Sequence, residues 1–252
     1  MLLINRQALW IKFIIGLICF FILLNLELFH QFYTKNQYDK ITQCSENIKE
    51  KHIFIIDQSS LMSIQTQTEI LSRIKQQINQ IKKHDFVALY IITPQSLSQL
   101  RPIFFFFLVQ EDFNENLIKS VKVSLYRDLK PQVTTPLAEI LLDINLSHQN
   151  MNAKYSKLYI YSDLLQKSPH LSLFESIDSM QAIQQFKKSR AGSEQRPTFI
   201  NTFVHLNIIP RANLSEQLVK NRDGFWSWFF GDMRGTRSSY GLERHDLPGS
   251  FK

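Results

Sequence analysis

Only two cysteines occur in the 252 residues of this chain. Cys19 lies inside an apolar run and Cys44 stands alone beyond it, so no disulfide closes within the soluble part. The residues before Cys19 are Leu17 and Ile18, which rules out a lipoprotein cleavage site with its small residue ahead of the cysteine. The chain has no Gly-rich phosphate loop with its lysine, no Gly-x-Ser-x-Gly and no His-Glu-x-x-His. Three familiar catalytic layouts are thereby excluded. The seven histidines (His30, His52, His84, His148, His170, His205 and His245) are scattered without ligand spacing. Internal repeats are absent, as is any basic stripe interleaved with aromatics, so neither nucleic acid nor a small-molecule substrate is an expected partner.

What is present belongs to an ordinary globular protein: 44% hydrophobic and 20% charged residues. The length suits one domain with appendages, or at most two small domains. The net charge of +7 is concentrated late, with eleven Lys or Arg against six Asp or Glu from Lys187 to Lys252. A solvated basic surface is the expected use of that surplus, against the alternative of a tail that binds nucleic acid or anionic lipid.

Arg6 and Lys12 precede an uncharged run from Phe13 to Leu26, which has no polar face and is followed by no small-x-small cleavage site. Counted from Leu9, with the Lys12 side chain reaching back to the interface, the run has about 18 residues, enough to cross a bilayer. Residues 1–32 are expected to be an uncleaved single-pass anchor, with the N-terminus cytoplasmic and the following domain exported. A polar linker over 33–50 leads to an α/β domain over 51–234, and a Gly-, Ser-, Arg- and His-rich tail over 235–252 is expected to lack order.

Within the domain, apolar runs at Ile53–Ile56, Phe86–Ile92, Pro102–Val109, Leu158–Tyr161 and Thr198–Ile209 read as buried strands. Ile70, Leu71, Ile74, Ile78 and Ile81 recur at helical spacing, as do Leu137, Ile140, Leu141 and Ile144. Leu173, Ile177, Met180 and Ile183 mark another helix, and residues 110–133 a partly helical connection. Thr135-Pro136 reads as an N-cap with proline at the first helical position, and Asn213 with Glu216 as a capping box. The last helix carries Phe225-Trp-Ser-Trp-Phe-Phe230, where Trp226 and Phe230 are a candidate interaction patch against the alternative of core packing. Strands alternating with helices predict a doubly wound, mainly parallel, Rossmann-like sheet with helices on both faces.

Asp57 ends the first strand and is followed by Gln58-Ser59-Ser60; Ser162-Asp163 ends the fourth; Thr135 opens a middle helix. Ligand sites of open α/β sheets lie at the carboxyl ends of the strands, where these residues fall. Two carboxylates and two hydroxyls make an oxygen-only donor set of the kind Mg²⁺ prefers, and a coordination position left open would accept a carboxylate from a partner. Helix capping and turn formation are the alternative use of the same residues.

This order (Asp-x-Ser, then Thr-Pro-Leu, then Ser-Asp) resembles the von Willebrand factor type A (vWA) domain, over about Lys51 to Met233. The resemblance implies that Asp57, Ser59, Thr135 and Asp163 line a metal-ion-dependent adhesion site, as ligands directly or through water. It also implies a non-catalytic module that binds a protein partner. The site is degenerate: Leu61 replaces the second serine of the first loop, which leaves Ser60 or Ser63 as substitutes, and Leu164 replaces a common glycine. Two further readings stand beside it, a metal-free structural subunit of an envelope or secretion assembly and a phosphatase-like hydrolase using Asp57. The second acid such phosphatases need two residues on is Ser59 here.

Overall fold

A computed structural model of the chain describes Gly16, Asn25 and residues 48–59, 61–82, 84–93, 102–107, 113–126, 135–148, 151, 153–175, 178–189, 199, 201–231 and 241–249. The chain divides into two units, Met1–Asn47 and Ile48–Lys252, and all elements below belong to the second. The expected anchor over 1–32 lies outside the described residues apart from Gly16 and Asn25; among the described residues no helix is long and apolar enough to cross a membrane.

The first two strands, β1 (Ile48–Asp57) and β2 (Phe86–Ile92), run parallel, with α1 (Ile64–Ile78) between them. Strand β3 (Phe104–Phe107) pairs antiparallel to β2. Helices α2 (Phe113–Leu125) and α3 (Leu137–Ser147) precede β4 (Ala153–Ser162), which returns to the other side of β1 in parallel. Then follow α4 (Ser179–Lys188), β5 (Thr202–Ile208), α5 (Glu216–Phe230) and β6 (Gly241–Asp246). The sheet order is β3-β2-β1-β4-β5-β6, parallel except for β3. Strand order therefore reverses between β1 and β4, the place where open α/β sheets put their ligand sites, outside the carboxyl ends of the strands.

Ile53, Phe54, Ile55 and Ile56 are buried on both faces, as a central parallel strand requires. On one face Phe54 and Ile56 pack with Ile70, Leu71, Ile74 and Ile78 of α1 and with Leu117, Val121 and Leu125 of α2. Ile53 and Leu158 face the other way and line a cavity with Leu141 and Ile144 of α3 and with Phe199. Phe199 in turn meets Phe229 and Phe230 of α5, and Phe186 of α4 meets Phe225, Trp228 and Phe229. Gly224 permits that helix pair: a Cβ there would lie 2.7 Å from Ser179 Cβ.

Several sequence expectations are corrected. The tail does not lack order throughout, because Gly241–Asp246 forms β6 and Leu247 behind it is buried in the core. An exposed edge strand carries no apolar signature, which hid it. The domain also begins earlier than residue 51, since Ile48–Glu50 are the first residues of β1. The cap of α5 is Ser215, which accepts from Leu218 N, while Asn213 turns the chain at φ 61°. Met180 is exposed rather than part of a buried stripe. Trp226 and Phe230 are buried at 1% and 0% exposure and form no surface patch. Trp226 Nε1 donates to Leu164 O at 2.7 Å, tying α5 to the loop after β4. Trp226→Phe will leave that carbonyl without its donor and a gap beside it, lowering unfolding free energy by about 1–3 kcal/mol in urea titrations, where a surface aromatic would change it by about 0.5 kcal/mol or less.

Candidate functional site

Register places the site. Ile56 pairs with Tyr161, so Asp57 and Ser162 lie level at the ends of adjacent strands. Asp57 Oδ2 accepts from Ser162 Oγ at 2.6 Å, and Asp57 Oδ1 accepts from the backbone N–H of Ser59 at 2.9 Å. The second contact is an Asx turn that folds the first loop back over its own aspartate. Ser162 Oγ also accepts from Leu164 N at 2.9 Å, and Asp163 Oδ1 from Leu165 N at 2.9 Å. Both strand ends thus spend carboxylate oxygens on their own loops.

Leu164 adopts φ 59°, the left-handed region that costs a residue with a Cβ about 1–2 kcal/mol. This is the position where the vWA pattern commonly has glycine. Its N–H and carbonyl are held by Ser162 and Trp226. Its side chain is 2% exposed, and burying a leucine stabilises by about 1.5–3 kcal/mol, enough to offset the strain.

Thr135 is buried and joins the same edge through its backbone. Thr135 N donates to Lys167 O at 2.8 Å, and Lys167 N donates back to Thr135 O at 3.0 Å. It is not an N-cap: Pro136 occupies that position of α3 and makes no side-chain cap bond. Gln166 caps the helix instead, accepting from Ala138 N at 2.8 Å while its amide donates to Glu139 at 2.6 Å. Ser63 is likewise committed, as the cap of α1, so it cannot replace the serine lost at Leu61. Leu61 is exposed. Ser60 lies outside the described residues.

Asp57 and Asp163 are each 1% exposed. Burial pushes the Asp57 carboxyl up to about 6, the neighbouring Asp163 charge adds to the rise, and the Ser162 and Ser59 contacts oppose it. Arg211, from the loop after β5, places Nε 2.5 Å from Asp163 Oδ2. Arg222, buried in α5, donates to Asp163 O at 3.4 Å and to Asp223 at 2.9 Å. The arrangement is a buried carboxylate pair in which one member has an arginine and the other has only hydroxyl and amide donors. Ser59 Oγ is buried beside Asp57 without a well-directed hydrogen bond. Asp57, Ser59 and Asp163 are suited to a hard divalent ion, for which Arg211 is the built-in competitor. Ser162, Gln166 and Arg211 carry no motif that would have marked them. Only the Ser-Asp pair at the end of β4 hinted at the first.

No protein-family model matches the sequence, and no curated protein matches it. Among solved structures, a variant of the PilB minor pilin from Streptococcus sanguinis superposes with TM-score 0.47 at 11% identity, covering 81% of this chain and 58% of that one. The manganese-loaded TRAP protein of Plasmodium vivax gives 0.39 at 12% identity over 80% of this chain and 69% of its own. An aerotolerance-related membrane protein from Bacteroides fragilis gives 0.35 at 10% over 80% and 92%. The chain thus spans little more than half of the pilin's length.

The sign of the pH dependence follows from Asp57. A carboxyl whose folded pKa is raised favours the folded state while protonated, so stability falls as pH rises from the unfolded value near 3.8 through about 6. Above that window the penalty is on the order of 3 kcal/mol. Asp57→Asn keeps an acceptor for Ser59 N and offers a donor to Ser162. Urea unfolding in metal-free buffer will show the variant more stable than wild type at pH 7.5, by about 1–3 kcal/mol, with the gap closing by pH 4.

Proposed function

We propose that this chain is a membrane-anchored, non-catalytic protein-interaction module of vWA type, binding a partner protein at the loop face built by Asp57, Ser59, Thr135 and Asp163. The single observation that carries this reading is the buried Asp57–Asp163 pair at the strand-order reversal, with Asp57 raised by burial and by its like-charged neighbour. Such a pair is short of positive charge, and Mg²⁺ supplies it while keeping coordination positions for water or for a partner's carboxylate. Asp57 and Asp163 would hold the ion with Ser59; Thr135 belongs to the adjoining loop and would act directly or through water. Arg6 and Lys12 ahead of the apolar run support a cytoplasmic N-terminus, a single span and an exported domain.

One observation favours a second reading, a metal-free structural subunit of an envelope or secretion assembly. Arg211 already sits on Asp163, and Leu61 and the capping role of Ser63 leave the first loop short of a hydroxyl. The two readings part on Arg211. Calorimetric titration of the full chain with Mg²⁺ and Mn²⁺ is expected to show saturable binding, lost in Asp57→Ala and tightened at least about threefold in Arg211→Gln, where the competing cation is gone. Absence of binding in both wild type and Arg211→Gln establishes the metal-free module instead.

A further inference from the structure

Away from the Asp57 loops, the β5–β6 ladder gathers three residues that lie far apart along the chain. His205 on β5 pairs in register with Glu243 on β6, and His245 follows two residues later, hence on the same face. His205 Nδ1 is 3.1 Å and His245 Nε2 3.4 Å from the same oxygen, Glu243 Oε2. All three ligand atoms lie within 4.8 Å of one another. Bonds of about 2.0–2.1 Å to a tetrahedral ion place neighbouring ligand atoms about 3.4 Å apart. The two separations to Glu243, 3.1 and 3.4 Å, are close to that value, and rotation of the half-exposed His245 side chain closes the third.

The His205 ring is held in place. It stacks on Tyr159 at 4.7 Å and 11°, and Phe203 lies against it at 4.8 Å. His245 continues the stack at 6.3 Å and 15°. Gly241 makes room for this arrangement, since a Cβ there would lie 2.5 Å from the Phe203 ring. His205 is mostly enclosed at 16% exposure, whereas Glu243 and His245 are open to solvent at 49% and 43%. One ligand is therefore fixed, two are accessible, and the outward side is free for water.

We propose that His205, Glu243 and His245 form a binding site for a divalent ion of the Zn²⁺ class, which pins the edge strand β6 to β5. Two imidazoles and one carboxylate are a donor set that suits Zn²⁺ with water in the fourth position, and they are poor ligands for Mg²⁺. The site is thus chemically separate from the oxygen-only face at Asp57. Because the ion bridges two strands, it stabilises the folded C-terminal segment by mass action.

The test is Zn²⁺ titration of the full chain by calorimetry, with hydrogen exchange read over residues 241–246. One Zn²⁺ per chain is expected, with affinity weakened at least about tenfold in His205→Ala, His245→Ala and Glu243→Gln, and unchanged in Asp57→Asn. Zn²⁺ is expected to slow exchange in β6 of the wild type and of Asp57→Asn only. His245 and Glu243 are exposed, so those two variants decide the matter even where His205→Ala fails to fold. No Zn²⁺ binding by the wild type, equal binding by His245→Ala and Glu243→Gln, or loss of binding in Asp57→Asn each overturns the proposal.

Discussion

Two carboxylates buried side by side at the edge of a sheet repel one another and have lost their water, and the loops around them are organised by that cost. Asp57 is held by Ser59 N and Ser162 Oγ, and Asp163 by Leu165 N and Arg211. These donors come from three segments, so the charge pair fixes the first loop, the end of β4 with the residues behind it, and the loop after β5 together. Burial and the charge of Asp163 both raise the Asp57 carboxyl, so placing the two aspartates together here costs stability. Their burial at the strand-order reversal is what makes the face a functional candidate.

The support behind that face is apolar and aromatic. Trp226 and Phe230 fill the space under α5, and Trp226 also clamps the strained Leu164 by donating to its carbonyl. Gln166 ties the same loop to the start of α3, and Thr135 and Lys167 join the two segments through paired backbone bonds. The loop after β4 is therefore anchored to α3, α5 and β1 at once. Leu164 can occupy a left-handed conformation without glycine because burial and two hydrogen bonds hold it there.

On the far edge the sheet closes with a strand whose side chains are nearly all exposed. β6 is held by its ladder to β5, by buried Leu247, and by Pro248 O, which accepts from Thr66 Oγ1 at 3.0 Å. Gly249, at φ 122°, lies so close to the cap of α1 that a Cβ would meet Thr66 Oγ1 at 2.3 Å. The end of the described chain is thus seated against the helix that follows the Asp57 loop.

The strands and the stripes of α1 and α3 were legible in the residues, because burial on both faces of a parallel strand leaves continuous apolar runs and helical spacing marks the inward face. Asp57 and Asp163 were legible for the same reason: a carboxylate ending such a run has nowhere to go but the sheet edge. What could not be read was anything built from distant partners. Arg211 reaches Asp163 from a loop 48 positions later, and Gln166 caps a helix that begins before it in the chain. The edge strand β6 has no apolar pattern, and His205 meets Glu243 and His245 only through its register. Sequence by itself determined which segments are buried and where their charges end. Tertiary structure alone decided which charges meet, because ladder register and loop closure, not spacing along the chain, set those distances.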